Sequence, residues 1–434
     1  MFQFYTAGLL LTGESWEPVR QSGVLVRGGK IEWIGPTAEL ENKVEGTEVE
    51  YFDFGSAATI MPGLIDSHVH LVFDGGPNPV EIVKHSNQSR QLAIMLRSAR
   101  ELLSVGVTTA RDLGAPAGLD VVVRTAIEDG LARGPRLVTA GAPLTVTGGH
   151  CWFFGGECDG VEGVRRQVRQ ARKAGADCIK VMATGGVLTT ETRPWRAQFA
   201  DEELAAIVDE AHQQGMLVAA HAHGIDGIRR AVNAGVDSLE HFSFMDADGE
   251  MHEDIAVVET VAAQGIYVCK TISTAWTEWM HTPGLIPNHM LRSLADRGVM
   301  LVAGTDAGID GAPHSEYVAG LEGMAWFGLT NREVLDAATV SAAQSLGLGN
   351  VTGSLAPGKR ADLIVVEGNP VDNISALRHL TAVIAGGDRY VPEFTSRSSW
   401  SNVLGGVRVP GLAGHTLRAF LEEPEVAVHT NAKS

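Results

Sequence analysis

The stretch Met61-Pro-Gly-Leu-Ile-Asp-Ser-His-Val-His-Leu71 decides how the rest of the chain is read. Ile65, Ser67 and Val69 alternate with Asp66, His68 and His70, the period that sends both imidazoles to one face of a strand. Pro62 and Gly63 punctuate its start, as suits a strand entering a sheet or barrel. Two imidazoles so placed can share one cation through neutral nitrogens. Two satisfied histidines at a strand end would look the same, so the pair needs support from elsewhere in the chain.

Working outward, one register recurs: a helical run stops at Gly, apolar residues follow, and a polar residue closes the run. It is seen in Val105-Gly-Val-Thr-Thr-Ala-Arg-Asp112, Ala174-Gly-Ala-Asp-Cys-Ile-Lys180 and Gln214-Gly-Met-Leu-Val-Ala-Ala-His221. Ala234-Gly-Val-Asp-Ser-Leu-Glu-His241, Gln264-Gly-Ile-Tyr-Val-Cys-Lys-Thr271 and Arg297-Gly-Val-Met-Leu-Val-Ala-Gly-Thr-Asp306 continue it. Gly after the last helical turn is the usual stop, and an apolar run behind it suits a strand buried on both faces. With the first histidine strand and Arg136-Leu-Val-Thr-Ala-Gly141, eight strands are predicted. Eight βα units predict an α/β fold, a (β/α)8 TIM-type barrel over residues 61–349, with its chemistry at the C-terminal strand ends. A doubly wound open sheet is the alternative, but no glycine-rich phosphate turn follows the first strand.

The flanks have another character. Gly23-Val-Leu-Val-Arg-Gly-Gly-Lys-Ile-Glu-Trp-Ile-Gly35 reads as a hairpin, and Ala361-Asp-Leu-Ile-Val-Val366 as a strand. Residues 1–60 and 350–391 together predict a small β-sandwich domain bracketing the barrel. From Pro392 this order is lost, and 392–434 reads as a C-terminal tail used in assembly.

Bulk properties narrow the function. The 434 residues carry a formal net charge of −18, which argues against nucleic acid or an anionic membrane surface as a partner. Cys151, Cys158, Cys178 and Cys269 form no CxxC pair. The first residues lack a basic n-region, and no apolar run approaches the ~20 residues that span a bilayer. A cytoplasmic protein acting on a small molecule is expected.

The polar residues that close the strands are His68 with His70, Lys180, His221, His241 and Asp306. Four imidazoles, an amine and a carboxylate on one face of a barrel point to a metal site. Lys180 is the odd member, because a protonated ammonium has no lone pair. Unmodified, it would pair with Asp306 or Asp112; carboxylated by CO2, it gains two oxygens able to bridge two metals.

These segments resemble the amidohydrolase superfamily, in its prolidase-like and imidazolonepropionase-like dipeptidase branch. The resemblance rests on Gly63–His70, Val107-Thr-Thr-Ala-Arg-Asp-Leu-Gly114, Lys180-Val-Met-Ala-Thr-Gly-Gly186, His221-Ala-His-Gly224, Glu240-His-Phe242 and Ala303-Gly-Thr-Asp-Ala-Gly308. Gly353-Ser-Leu-Ala-Pro-Gly-Lys-Arg-Ala-Asp-Leu363 is similar to the segment by which such chains return to the β domain. The resemblance implies a homo-oligomer and a binuclear site with two divalent ions, most often zinc. His68, His70 and Asp306 would hold one ion, His221 and His241 the other, with carboxylated Lys180 bridging. Asp306 would carry the proton from the attacking hydroxide to the leaving nitrogen. Deaminases of the superfamily are disfavoured, since they need a Glu where this chain has His223.

Loops after the strands suggest the substrate. His150, Trp152, Trp195, Trp276 and Trp279 fall there, and aromatics at that end could line an apolar pocket. Packing of long loops on one another is the competing account. His223 reads equally as a hydrogen-bond partner of the ligands or as a substrate contact. Arg193, beside Trp195, could pair with a carboxylate. The leading expectation is hydrolysis of an amide bond in a dipeptide or N-acyl amino acid with a hydrophobic or aromatic group. An aromatic amide, urea or carbamate, such as a phenylurea or an ochratoxin-like toxin, is the alternative. A non-catalytic scaffold is disfavoured because such proteins have lost ligands that this chain keeps.

Overall fold

The computed structural model describes residues 1–44, 46–276 and 289–392. Trp279, His281 and all but the first residue of the expected tail lie outside them.

Six strands precede the histidines: β1 (Phe2–Thr6), β2 (Leu9–Leu10), β3 (Ser22–Arg27), β4 (Lys30–Pro36), β5 (Val49–Asp53) and β6 (Ala58–Pro62). Four of them form a sheet in the order β4-β3-β1-β5, with β3 and β4 as the antiparallel hairpin read from Gly28-Gly29.

Eight parallel strands follow, six where the glycine register places one and two at the histidine stretch and Arg136–Gly141. They are β7 (Leu64–Val69), β8 (Val107–Asp112), β9 (Arg136–Thr139), β10 (Cys178–Met182), β11 (Leu217–Gly224), β12 (Ser238–Met245), β13 (Tyr267–Cys269) and β14 (Met300–Leu301). They lie in two arcs, β7-β8-β9 and β10 through β14. The arcs are joined at both edges. On one side Leu144 N–H donates to the Lys180 carbonyl at 2.8 Å, and Met182 N–H to that of Leu144 at 2.9 Å. On the other, Ser67 N–H donates to the Ala303 carbonyl and Asp306 N–H to that of His68, at 3.0 and 2.8 Å.

Helices between the strands turn apolar stripes inward. In the helix Asp201–Gln213, Leu204, Ile207, Val208 and Ala211 are buried, and Glu203 accepts the Ala200 N–H at its start. The helices Ile225–Ala234 and Ile255–Gln264 both end at a glycine in the left-handed region, Gly235 (φ 80°) and Gly265 (φ 68°). Each glycine releases the chain into the next strand.

The chain returns through β15 (Leu363–Glu367), β16 (Leu380–Ala385) and β17 (Asp388–Tyr390) to complete a second sheet, β17-β16-β15-β6-β2. The two outer sheets share one apolar cluster, with Tyr5, Val24, Val26 and Ile31 from the first and Ile60, Leu363, Val365 and Ile384 from the second. Strand β6 passes through Gly63 directly into β7, so the histidine strand is anchored in this outer layer. A side chain at Gly63 would meet Thr108 Oγ1 at 2.2 Å, which makes glycine obligatory at that joint.

Among the described residues no helix is long and apolar enough to cross a membrane.

Candidate metal centre

Strand alternation places His68 and His70 together, both buried, at the C-terminal end of β7. Asp306 meets them: its Oδ1 lies 3.3 Å from His68 Nε2 and 3.4 Å from His70 Nε2. A clamp two residues upstream sets this register. The buried Asp66 carboxylate accepts the His68 and Thr305 N–H groups, each at 3.1 Å, and the Thr305 hydroxyl at 2.6 Å. Thr305 is thereby tied to β7, and Asp306 follows with φ 57°, an unusual conformation for a residue other than glycine.

A second group gathers at the ends of β11 and β12. The rings of His221, His223 and His241 lie 4.5–4.7 Å apart. One nitrogen of each is tethered: His221 Nε2 to the Gly185 carbonyl at 2.9 Å, His223 Nδ1 to Ser243 Oγ at 2.8 Å, His241 Nδ1 to Thr271 Oγ1 at 3.0 Å. Such tethers fix a ring and leave its other nitrogen to face a ligand. The backbone bends sharply to achieve this, with His241 at φ 69° and Phe242 at φ 47°. His68 and His241, 5.4 Å apart between ring centres, connect the two groups.

The electrostatics suit a cation. Burial lowers His70 to about 4 and His223 to about 4, and holds His221 and His241 well below the ordinary range, so these imidazoles are neutral at pH 7. Asp306 is the reverse case. Burial would raise its carboxyl, but His68, His70 and Lys180 around it hold it well below the usual carboxylate range. Lys180 is fully buried on β10, and burial lowers its pKa while Glu240 and Asp306 oppose the shift. Donor atoms from His68, His70 and Asp306 lie within 4.8 Å of one another, as do those from His221, His223 and His241. His68 Nε2 is buried and makes no well-formed hydrogen bond. Neutral imidazoles, an ionised carboxylate and a buried lone pair without a partner fit a divalent metal.

The loop residues divide. His150 is buried with its ring centre 4.6 Å from that of His221, and its Nδ1 has no hydrogen bond. Trp152 is 41% exposed and carries the Lys84 ammonium 5.9 Å over its ring, on the outside of the loop. The short 3-10 turn Trp152–Phe154 puts Phe154 inside instead, nearly parallel to the His70 ring at 6.2 Å and 5.6 Å from Phe73. Trp195 is half-buried, its backbone pressed against Gly224 at the end of β11. Trp276 packs edge-on to Phe327 at 5.4 Å. Arg193 turns back on its own loop and donates to the Thr190 and Thr192 carbonyls, both at 2.8 Å.

Two residues quoted above only as parts of motifs, Arg111 and Glu240, lie under the first group. The Glu240 carboxylate faces His68 Nδ1 at 2.8 Å and the Arg111 guanidinium at 2.8 Å, all three buried. Burial would raise Glu240, but the Arg111 charge and the His68 hydrogen bond hold it well below its ordinary value. Spacing along the sequence gives no sign of this contact, since Arg111 and Glu240 are 129 positions apart.

Comparison with known proteins finds relatives over most of the chain. Ochratoxinase from Aspergillus niger is 33% identical over 413 residues, covering 87% of this chain and 83% of that protein. Its crystal structure superposes with a TM-score of 0.75 over 90% of this chain and 95% of the other. A Xaa-Pro dipeptidase with methionine bound in its active site is 30% identical, with a TM-score of 0.80 over 90% of this chain and all of the other. Phenylurea hydrolase B, 19% identical with a TM-score of 0.76 over 91% of this chain and all of the other, shares the fold. The amidohydrolase family profile matches residues 59–390. The chain therefore belongs to the amidohydrolase family and is a hydrolase of carbon–nitrogen bonds.

Proposed function

We propose that the chain is a binuclear metal-dependent amidohydrolase that cleaves the amide bond of a dipeptide or N-acyl amino acid bearing a hydrophobic or aromatic group. The fold we assign to it is a closed (β/α)8 barrel flanked by a β-sandwich, supported by the two joined arcs and the shared outer cluster. The observation that carries the reading is the pair of donor groups, His68–His70–Asp306 and His221–His223–His241, in one largely buried site.

His68, His70 and Asp306 hold one ion, and His221 and His241 the other. Lys180, buried on β10, would complete the set as its carbamate, formed when the neutral amine adds CO2 and releases a proton to solvent; burial, which lowers its pKa, favours that neutral form. Bound there, two divalent ions lower the pKa of a water molecule and polarise the scissile carbonyl. Asp306, kept ionised, takes the proton of the attacking water as the C–O bond forms. It then delivers that proton to the leaving nitrogen as the C–N bond breaks. His150 and His223 contact the substrate at the rim of the second group. Phe154 and Phe73, beside His70, supply the apolar wall that selects a hydrophobic substituent.

Elemental analysis of the purified protein, paired with a panel of N-acyl-phenylalanine, its carboxamide and a phenylurea, tests this. The expected result is close to two metals per chain and release of phenylalanine only from the free acid. Two metals with turnover of the urea alone would keep the centre and overturn the substrate class. No metal after reconstitution with zinc and bicarbonate would overturn the whole reading.

A further inference from the structure

A continuous hydrogen-bonded path runs beneath the first donor group, through residues that are all buried. Arg111, at the end of β8, spends every arm of its fork. Its Nε donates to the Ser67 carbonyl at 2.7 Å, one terminal nitrogen to Ser238 Oγ at 3.1 Å, the other to Glu240 Oε1 at 2.8 Å. The Ser238 hydroxyl donates to the same Glu240 oxygen at 2.7 Å. The second oxygen, Oε2, lies 2.8 Å from His68 Nδ1.

The chemistry of this chain leaves one choice at the imidazole. A carboxylate paired with a guanidinium is an acceptor only, so the nitrogen facing it carries the proton. In the neutral ring the lone pair of His68 is then on Nε2, the atom that stands buried beside Asp306 without a hydrogen bond. A buried ion pair is a poor strut, because desolvation offsets most of its Coulombic gain and apolar residues would brace three strands as well. What an apolar brace cannot do is choose a tautomer.

We propose that Glu240, fixed by Arg111 and Ser238, is a positioning residue that holds His68 as its Nδ1–H tautomer and so aims the Nε2 lone pair at the cation position shared with His70 and Asp306. This rests on the metal reading above, but the tautomer is testable without any metal. Arg111 acts one step further back, through Glu240.

Glu240→Gln is the discriminating variant. Arg111 and Ser238 both donate, so they hold the Gln carbonyl oxygen in place of Oε1 and turn its NH2 toward His68. That NH2 requires an acceptor, which forces His68 into the Nε2–H form and removes the lone pair. The measurement is 15N NMR of the histidine-labelled full chain, stripped of metal by chelator, with the His68 signal identified by its loss in His68→Gln. The expected result is Nδ1–H in the parent protein and Nε2–H in E240Q. Zinc affinity, read by competition with a chromophoric chelator, should fall roughly 10- to 100-fold in E240Q. Arg111→Lys, which keeps the charge but loses the fork, should retain the tautomer with a smaller loss of affinity; it also serves if E240Q does not fold. A parent protein that binds no zinc but shows the tautomer switch would refute the metal reading alone. An unchanged tautomer in E240Q, or unchanged zinc affinity with only a lower unfolding midpoint, would reduce the path to a strut and overturn the proposal.

Discussion

At the scale of single residues, the ligand-type side chains were legible because strand alternation fixes where they point. His68 and His70 share a face in any strand, whatever surrounds it, and the structure brings them to Asp306. The loop residues were not legible, because a loop has no period to project. Trp152 and Phe154 are two positions apart, yet one faces solvent and the other stacks beside His70. Arg193 makes the same point. Its charge suggests a substrate carboxylate, but its guanidinium already satisfies carbonyls of its own loop. Arg193→Ala should therefore change KM for an N-acyl amino acid by no more than about twofold, the range of an ordinary surface substitution. Steady-state kinetics would check this, and a tenfold rise in KM would restore Arg193 as a substrate contact.

At the scale of elements, the helix–glycine–strand register located six of the eight strands of the two arcs, and the histidine stretch and the apolar run from Arg136 located the other two. It could not show what lies between them, since hydrogen bonds such as Arg111 to Glu240 join distant parts of the chain. The seam between β7 and the segment after β14 illustrates the tightness required. A Cβ on Gly304 would stand 2.6 Å from Cys269 Sγ and 3.0 Å from both N and Cβ of His68. Gly304→Ala should therefore wedge the two strands apart. Stability is expected to fall by about 1–3 kcal/mol, the usual cost of overpacking. Zinc affinity should fall with it, because His68 moves relative to Asp306. Urea unfolding with a zinc competition titration would measure both, and loss of stability with intact affinity would show that the seam does not set the site.

At the scale of the whole molecule, the fold tolerates buried carboxyls whose pKa burial raises. Burial, and then Asp120, push Asp112 well above the usual range, and burial raises Asp120 to about 6. Each accepts backbone N–H groups, Asp112 from Gly114 at 3.1 Å and Asp120 from Gly141 at 2.6 Å. Because the folded pKa of Asp120 exceeds its unfolded value near 4, the folded state retains a proton that the unfolded state releases. Its contribution is greatest below about pH 4 and is lost as pH rises toward about 6. Relative to Asp120→Asn, the parent protein should lose about 2–3 kcal/mol over that interval. Parallel stability curves for the two proteins across it would place the carboxyl's titration elsewhere.

A binuclear centre requires two cation positions in one site, and anomalous diffraction at the zinc edge from zinc-loaded crystals tests for them most directly. Two peaks are expected, one within reach of His68, His70 and Asp306 and the other of His221 and His241, with density for a carbamate on Lys180 between them. A single peak with an unmodified Lys180 would contradict the binuclear centre.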